Sequence, residues 1–336
     1  MLNLPEQLQN IVNQVEREQQ LTNLQEIYRG TYYTPNHLRN VIFSCTYQNH
    51  PAILKVYFDP RDTQEPTSLA AFHLHNRSNI LTAPKLFASQ QLSANSGWLI
   101  MEKLPENAIR FENQMSPEQR TEFLNLFLEY RQNFPTENPN AISLGEHLNS
   151  TNYHLFRLAK WFELANHQNN NFYQAHHINL TDPKILTKKL QHSLSLIREV
   201  FLERPMIWSH GHFKNHELFK VSNQKYYLID FAHTKMYPQG YEMAFIIWAD
   251  YLMSDNWQTL ASQAWLDGVI DWLKETTKIA KQLGYPKPQQ LMQGALLERT
   301  WGTILADVLA AEKPLEEKKR RLHLLYQLVD YLIAEI

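Results

Sequence analysis

The sequence predicts an α+β chain in two parts, a small β-rich lobe followed by a larger and mostly helical one. Three observations carry this reading. Strand-like apolar runs separated by turn residues fill the first hundred positions, a 3.6-residue periodicity takes over after Pro105, and one short hairpin pattern interrupts the later helices.

Leu8, Ile11, Val12 and Val15 recur at helical spacing among Gln, Asn and Glu, so residues 5–19 read as an amphipathic helix. Three antiparallel strands follow over 24–33, 39–47 and 52–58, the last two joined by a Gln48-Asn49-His50-Pro51 turn. A helical piece over 68–75 leads to strands at 85–92 and 98–104, which completes an expected five-stranded sheet with one helix. Helices are then expected over 116–134, with Ser116 as N-cap and Glu118 just inside, over 144–165 and over 183–202. A hairpin pairs 217–221 with 225–231, and everything from Tyr241 onward reads as helix. The expected division is an N-terminal helix (1–20), a β-rich lobe (21–104) and a helical lobe (105–336) that includes the 208–233 hairpin segment.

The 336 residues, with 43% hydrophobic and 20% charged side chains, have the composition of a globular protein with ample core. A net charge of -2 and a pI near 6.7 exclude a broad basic footprint for nucleic acid. The basic run Lys318-Lys319-Arg320-Arg321 follows Glu316-Glu317 and reads as a compensated, solvated helix face. Cys45 is the single cysteine, which allows no internal disulfide, and it lies in an apolar run that suits a buried thiol. There is no 18-residue apolar stretch and no leader-like N-terminus, so a cytoplasmic protein without a membrane or nucleic-acid partner is expected. The aromatics Trp161, Phe162, Trp248, Tyr251, Trp257, Trp265 and Trp272 read mostly as core by their helical spacing.

The chemistry-bearing segments fall in a recognisable order. Ala52-Ile53-Leu54-Lys55-Val56 comes first, then Leu99-Ile100-Met101-Glu102-Lys103-Leu104-Pro105. His210-Gly211-His212-Phe213-Lys214-Asn215-His216-Glu217-Leu218-Phe219 follows, then Leu228-Ile229-Asp230-Phe231-Ala232 eighteen residues beyond His212, and then Pro238-Gln239-Gly240-Tyr241-Glu242-Met243-Ala244. Over residues 24–253 the chain thereby resembles the aminoglycoside phosphotransferase and choline kinase family, whose fold is the bilobal protein kinase-like one.

The resemblance implies a transfer of the ATP γ-phosphate to the hydroxyl of a small molecule, with Mg2+ or Mn2+. It puts Lys55 on the α- and β-phosphates, Glu65 as the glutamate that holds Lys55, Gly30 in the phosphate-covering loop, and Glu102 and Leu104 on the adenine edge. It makes Asp230 and Glu217 the metal ligands, places His212 at the catalytic-loop position beside the acceptor, and aligns Lys214 with a lysine near the γ-phosphate. His210 is implied as scaffold, and Asp250 and Asp255 lie where such enzymes contact the acceptor.

Two loop positions depart from the family pattern. His212 stands where the family keeps its catalytic aspartate, and Glu217 stands where an asparagine binds metal. The covering loop, residues 29–36, has one glycine, so backbone amides make a poorer phosphate cradle there. These changes leave three readings open. The chain is an active phosphotransferase with a neutral imidazole as base and Glu217 as a hard oxygen ligand, or a non-catalytic pseudokinase that serves as a ligand-binding or regulatory module. In the third, His210, His212, His216, Glu217, Asp230 and His233 form the Zn2+, Mn2+ or Fe2+ site of a metalloenzyme. The sequence leaves the acceptor and the oligomeric state open.

Overall fold

The structure, a computed structural model, describes residues 6–31, 38–137, 149–167, 183–254, 258, 261–308 and 314–335. The chain divides into two compact units, residues 1–110 with 217–234, and residues 111–216 with 235–336. Helix α1 (Glu6–Glu18) precedes strands β1 (Thr22–Thr31), β2 (Leu38–Tyr47) and β3 (His50–Tyr57). Helix α2 (Glu65–His75) then leads to β4 (Leu81–Thr82), β5 (Leu86–Gln91), β6 (Gly97–Glu102) and β7 (Ile109–Arg110). Next come α3 (Pro117–Asn133), α4 (Ser150–His167), α5 (Pro183–Phe201), β8 (Met206–Ser209), β9 (Leu218–Ser222), β10 (Lys225–Leu228) and β11 (Lys235–Pro238). The chain ends on α6 (Tyr241–Ile247), α7 (Ser262–Gln282), α8 (Pro288–Gly302) and α9 (Leu315–Glu335).

In the first unit, β1, β2, β3, β6 and β5 form the expected five-stranded antiparallel sheet, in that order. Alternation builds its core. Val41, Phe43 and Cys45 of β2, Ala52, Leu54 and Val56 of β3, and Trp98 and Ile100 of β6 meet the α1 stripe of Leu8, Ile11, Val12 and Val15. Because successive strand side chains point to opposite faces, Lys55, between Leu54 and Val56, is turned to the other side of the sheet. Cys45 is buried in the core as expected, and burial pushes its thiol up to about 11. At Gly97 a Cβ would come within 2.4 Å of the Tyr57 hydroxyl, so glycine admits the buried Tyr57 ring opposite it.

The β9–β10 hairpin, expected with the helical lobe, belongs to the first unit. Main-chain pairing takes it there: β10 runs parallel to β4, and β9 runs antiparallel to β7. Helix α2 begins at Glu65, three residues before the sequence expectation, because Pro66 occupies the first turn, where its missing N–H costs nothing.

Among its described residues, the second unit's one strand pair is the antiparallel β8 and β11, which the sequence does not predict, and its other long elements are helices. Helix α3 opens as expected on Ser116, whose Oγ accepts the Gln119 N–H while Gln119 returns a bond to the Ser116 N–H, a full capping box. Helix α8 is buried from Leu291 to Gly302. Its Glu298 is paired there with His154 and Arg157 of α4, both at 3.3 Å. Trp265, Trp272 and Tyr251 are core, as their spacing implies, whereas Trp161, Phe162 and Trp248 are partly exposed; Trp257 lies outside the described residues. Arg321, expected on a solvated face, is instead buried and donates to the Leu252 carbonyl. Among the described residues, no helix is long and apolar enough to cross a membrane.

Candidate functional site

In the first unit the charged residues converge on Lys55. Its ammonium, 5% exposed, donates to Asp62 Oδ1 at 2.8 Å and to Glu65 Oε2 at 2.5 Å, and lies 4.0 Å from Asp230 Oδ1. Sheet alternation aims Lys55 at this face, the first turn of α2 supplies Glu65, and a short 3-10 turn, Asp62–Gln64, supplies Asp62. Asp62 and Glu65 are both buried, and two carboxylates on one ammonium keep Lys55 firmly protonated against the cost of its own burial. Glu65 is pushed up to about 7, by burial first and by the neighbouring Asp230 and Asp62, with Lys55 opposing the rise.

Asp230 sits where β10 ends, in the left-handed region with φ 61° and ψ 65°. Such a backbone costs on the order of 1 kcal/mol in a non-glycine residue, although aspartate tolerates it better than most. The turn is held from both sides. Phe231 packs on Phe72 of α2 with ring centroids 5.0 Å apart, and the Ile229 N–H donates to the Glu217 carbonyl at 3.0 Å. Burial keeps His233 neutral, with its pKa lowered to about 3, and its Nε2 lies 3.3 Å from Arg39 Nη2. Arg39, in turn, reaches both oxygens of Asp62, from Nε at 3.1 Å and from Nη2 at 3.3 Å.

The oxygens of Asp62, Glu65 and Asp230 lie within 4.8 Å of one another, and hard carboxylate oxygens are the donor set a Mg2+ or Mn2+ ion takes. The Asp62 and Glu65 side chains are buried against Lys55 and Arg39, whereas the Asp230 side chain is a quarter exposed, which leaves Asp230 the carboxylate an ion can reach from solvent. Glu217 closes a short turn, Asn215–Glu217, and is not a member of this cluster.

Gly30 lies near the end of β1, paired with Asn40, and a Cβ there would meet Asn40 Oδ1 at 2.6 Å. The remainder of the expected covering loop, residues 32–37, lies outside the described residues. Glu102 ends β6 with its side chain on the Lys85 N–H at 3.1 Å and the Tyr227 hydroxyl at 3.3 Å. Its own N–H donates to the Lys85 carbonyl at 2.8 Å, so any hinge contact from Glu102 is through the carbonyl. Leu104 follows the strand, half-buried.

In the second unit the 210–215 loop is held by its main chain. The His210 N–H donates to the Tyr130 hydroxyl and the Gly211 N–H to Glu242 Oε1, both at 2.7 Å. Gly211 has φ 82°, a conformation glycine adopts freely. Phe213 anchors the loop from below, fully buried, with ring centroids 5.5, 5.2 and 5.1 Å from Phe123, Phe127 and Tyr130. Arg131, buried with Glu242 at 3.6 Å, donates to the Trp208 carbonyl at 3.0 Å. Burial raises the Glu242 pKa, with Arg131 opposing. His210 is buried scaffold, as expected. His212 is partly exposed and lies flat on Phe245, with centroids 4.6 Å apart and 17° between planes; Lys214 is partly exposed two residues on.

Asp250, which follows the Glu242 segment where the resemblance puts acceptor contacts, is fully buried. It accepts from Trp272 Nε1 at 2.8 Å and from the Met115 N–H at 3.3 Å; Asp255 lies outside the described residues. Asp62 and Arg39 are the site residues that sequence reasoning missed, and His233 entered it only through the metalloenzyme reading. The one available signal was Asp62 in the turn after β3, ahead of Glu65.

No family model matches the sequence, and no curated protein does. Solved structures match over nearly the whole chain. An ethanolamine kinase of Plasmodium vivax is 15% identical with a TM-score of 0.58, over 95% of this chain and 86% of that one. The ADP-bound aminoglycoside phosphotransferase APH(2'')-Ib is 13% identical with a TM-score of 0.58, over 96% of each chain. A thermostable mutant of the aminoglycoside phosphotransferase APH(4)-Ia, in complex with ADP and hygromycin B, is 11% identical with a TM-score of 0.56, over 97% of this chain and 98% of that one. The likeness gives the fold: protein kinase-like α+β, with an antiparallel sheet in the N-lobe and a helical C-lobe.

Proposed function

We propose that the protein is an ATP-dependent phosphotransferase that acts on the hydroxyl of a small molecule. The observation that carries the reading is the Lys55–Glu65 pair engaged at 2.5 Å with Asp230 4.0 Å from the same ammonium, in a fold shared with small-molecule kinases. Lys55 binds nucleotide phosphates through the N–H that Asp62 and Glu65 leave over, and Asp230 holds the metal, with Glu217 as its second ligand. When bound, Mg2+ or Mn2+ supplies charge neutralisation for the transferred phosphoryl group. Glu102 and Leu104 read the adenine edge, and Gly30 opens the loop over the phosphates. His212, whose ring plane is fixed by Phe245, accepts the proton of the acceptor hydroxyl, and Lys214 faces the γ-phosphate.

A second reading, a non-catalytic module that binds ligand, draws on Asp62. A second buried carboxylate on Lys55 leaves less positive charge for nucleotide than a Lys–Glu pair alone. One experiment separates the two. Thermal unfolding is followed with ATP and with Mg2+ or Mn2+, and ADP release is assayed in the same samples for the parent and for Asp230→Ala. Stabilisation with ADP release that is lost in Asp230→Ala supports the enzyme, stabilisation without ADP supports the binding module, and neither response removes both. A stoichiometric transition metal without nucleotide binding would instead point to the His/carboxylate metalloenzyme.

A further inference from the structure

One fully buried carboxylate holds two cations from adjacent strands. Asp62 accepts from Lys55 of β3 and from two nitrogens of Arg39 on β2, and Arg39 is the second residue of its strand, directly after the expected covering loop. Lys55 is explained by the phosphotransferase reading. Arg39 is not.

Its geometry is specific. Nε and one Nη2 hydrogen go to Asp62, and the other Nη2 hydrogen points at the neutral Nε2 of His233, three residues beyond Asp230. The strand fixes the backbone end, since the Arg39 carbonyl accepts from the Phe58 N–H at 2.7 Å. These contacts use one edge of the guanidinium and leave the two Nη1 hydrogens outside them. The side chain is 19% exposed, unlike the fully buried Asp62 behind it. A guanidinium held this way loses little rotamer freedom when it takes an anion, and planar N–H donors suit phosphate oxygens.

We infer that Arg39 is a second phosphate-recognition cation, oriented by Asp62 and His233 to bind the phosphate chain of the nucleotide together with Lys55. This rests on the nucleotide-binding part of the proposed function and names a residue that the family resemblance does not. It also gives physical sense to the covering loop. With one glycine in residues 29–36, Cβ atoms limit how closely backbone amides there can approach phosphates, and an arginine beyond that stretch adds donors and positive charge.

The test uses inorganic pyrophosphate, ATP and adenosine as separate titrants, each with Mg2+ present, and binding is read by calorimetry on the full-length protein. Arg39→Gln alone would leave Asp62 short of one partner, and loss of Asp62 alone changes the charge left on Lys55, so the main variant is Arg39→Gln/Asp62→Asn, read against Asp62→Asn. Its Kd for pyrophosphate and for ATP is expected to rise about 10- to 100-fold, the range for losing a hydrogen bond to a charged group, while adenosine binding is unchanged. If that variant does not fold, Arg39→Lys, which keeps the charge on Asp62 and loses the fork, is expected to weaken pyrophosphate several-fold. Unchanged pyrophosphate and ATP affinity in a folded variant, or a parent that does not bind pyrophosphate, overturns the inference. ATP turnover with an unchanged KM in the variant also overturns it while the enzyme reading survives. Arg39-dependent pyrophosphate binding in a protein that never releases ADP does the reverse.

Discussion

Replacing Glu65 with Gln should abolish a specific pH dependence of stability. Glu65 is almost fully buried, and its pKa is raised from 4.5 to about 7, so the folded chain keeps a proton that the unfolded chain releases at lower pH. Between these two values the folded state binds more protons, so stability falls as pH rises through the window and levels off above it. At about 1.4 kcal/mol per pKa unit, the full effect amounts to roughly 3 kcal/mol. The glutamine side chain would still offer an amide oxygen to Lys55 and would not titrate. Urea unfolding of the parent and of Glu65→Gln, followed by tryptophan fluorescence in half-unit steps from pH 4.5 to 8, reads Glu65 together with the Lys55, Asp62 and Asp230 groups it couples to, while groups remote from them cancel in the difference. The variant should gain on the parent by up to about 3 kcal/mol as pH rises across the window. A flat difference, or one that favours the parent at high pH, would show that Lys55 governs the pair and that Glu65 ionises like an ordinary or depressed carboxylate.

Two further outcomes probe the second unit. Glu242→Ala should cost about 3–5 kcal/mol in urea unfolding, because it leaves the buried Arg131 and the Gly211 N–H without their carboxylate, whereas Glu242→Gln retains the Gly211 bond and should cost markedly less. His212→Phe keeps a flat ring against Phe245 and removes the proton acceptor. It should lower ADP release by about 10²–10⁴-fold with nucleotide affinity and melting temperature unchanged, and full activity in that variant would refute the base assignment.

What the sequence disclosed follows a physical divide. Helix α1 and the five strands of the first sheet were legible because apolar residues repeat with the period of the element they build, as Leu8, Ile11, Val12 and Val15 do. β8 and β11 were not, since four-residue runs carry almost no periodicity and Pro238 argues against a strand until it is seen at the end of one. The start of α2 was expected three residues late, at Ser68, whereas Pro66 marks the helix's first turn and Glu65 opens it. Lys55 and Asp230 were found through ordered motifs, and Glu65 as the one acidic residue in its stretch. The pairings of Arg39 with Asp62 and with His233 had no such route. Their contacts span 23 and 194 positions, and nothing local in the chain announces a partner so far away.

The charge balance around Lys55 links these pieces. Asp62, Glu65 and Asp230 outnumber Lys55 and Arg39 by one, and burial together with the neighbouring carboxylates raises the Glu65 pKa to about 7. Phosphates brought to the same place add negative charge, which two cations already shared among three carboxylates cannot offset. A divalent ion on Asp230 can, because it reverses the local sign and makes that carboxylate an anchor for phosphate instead of a repellent. On the phosphotransferase reading, the same carboxylates that orient Lys55 and Arg39 would make nucleotide binding conditional on metal. Asp62 both positions the cations and weakens them, and metal-dependent affinity is the consequence that an arrangement of this kind must display if phosphates are its ligands.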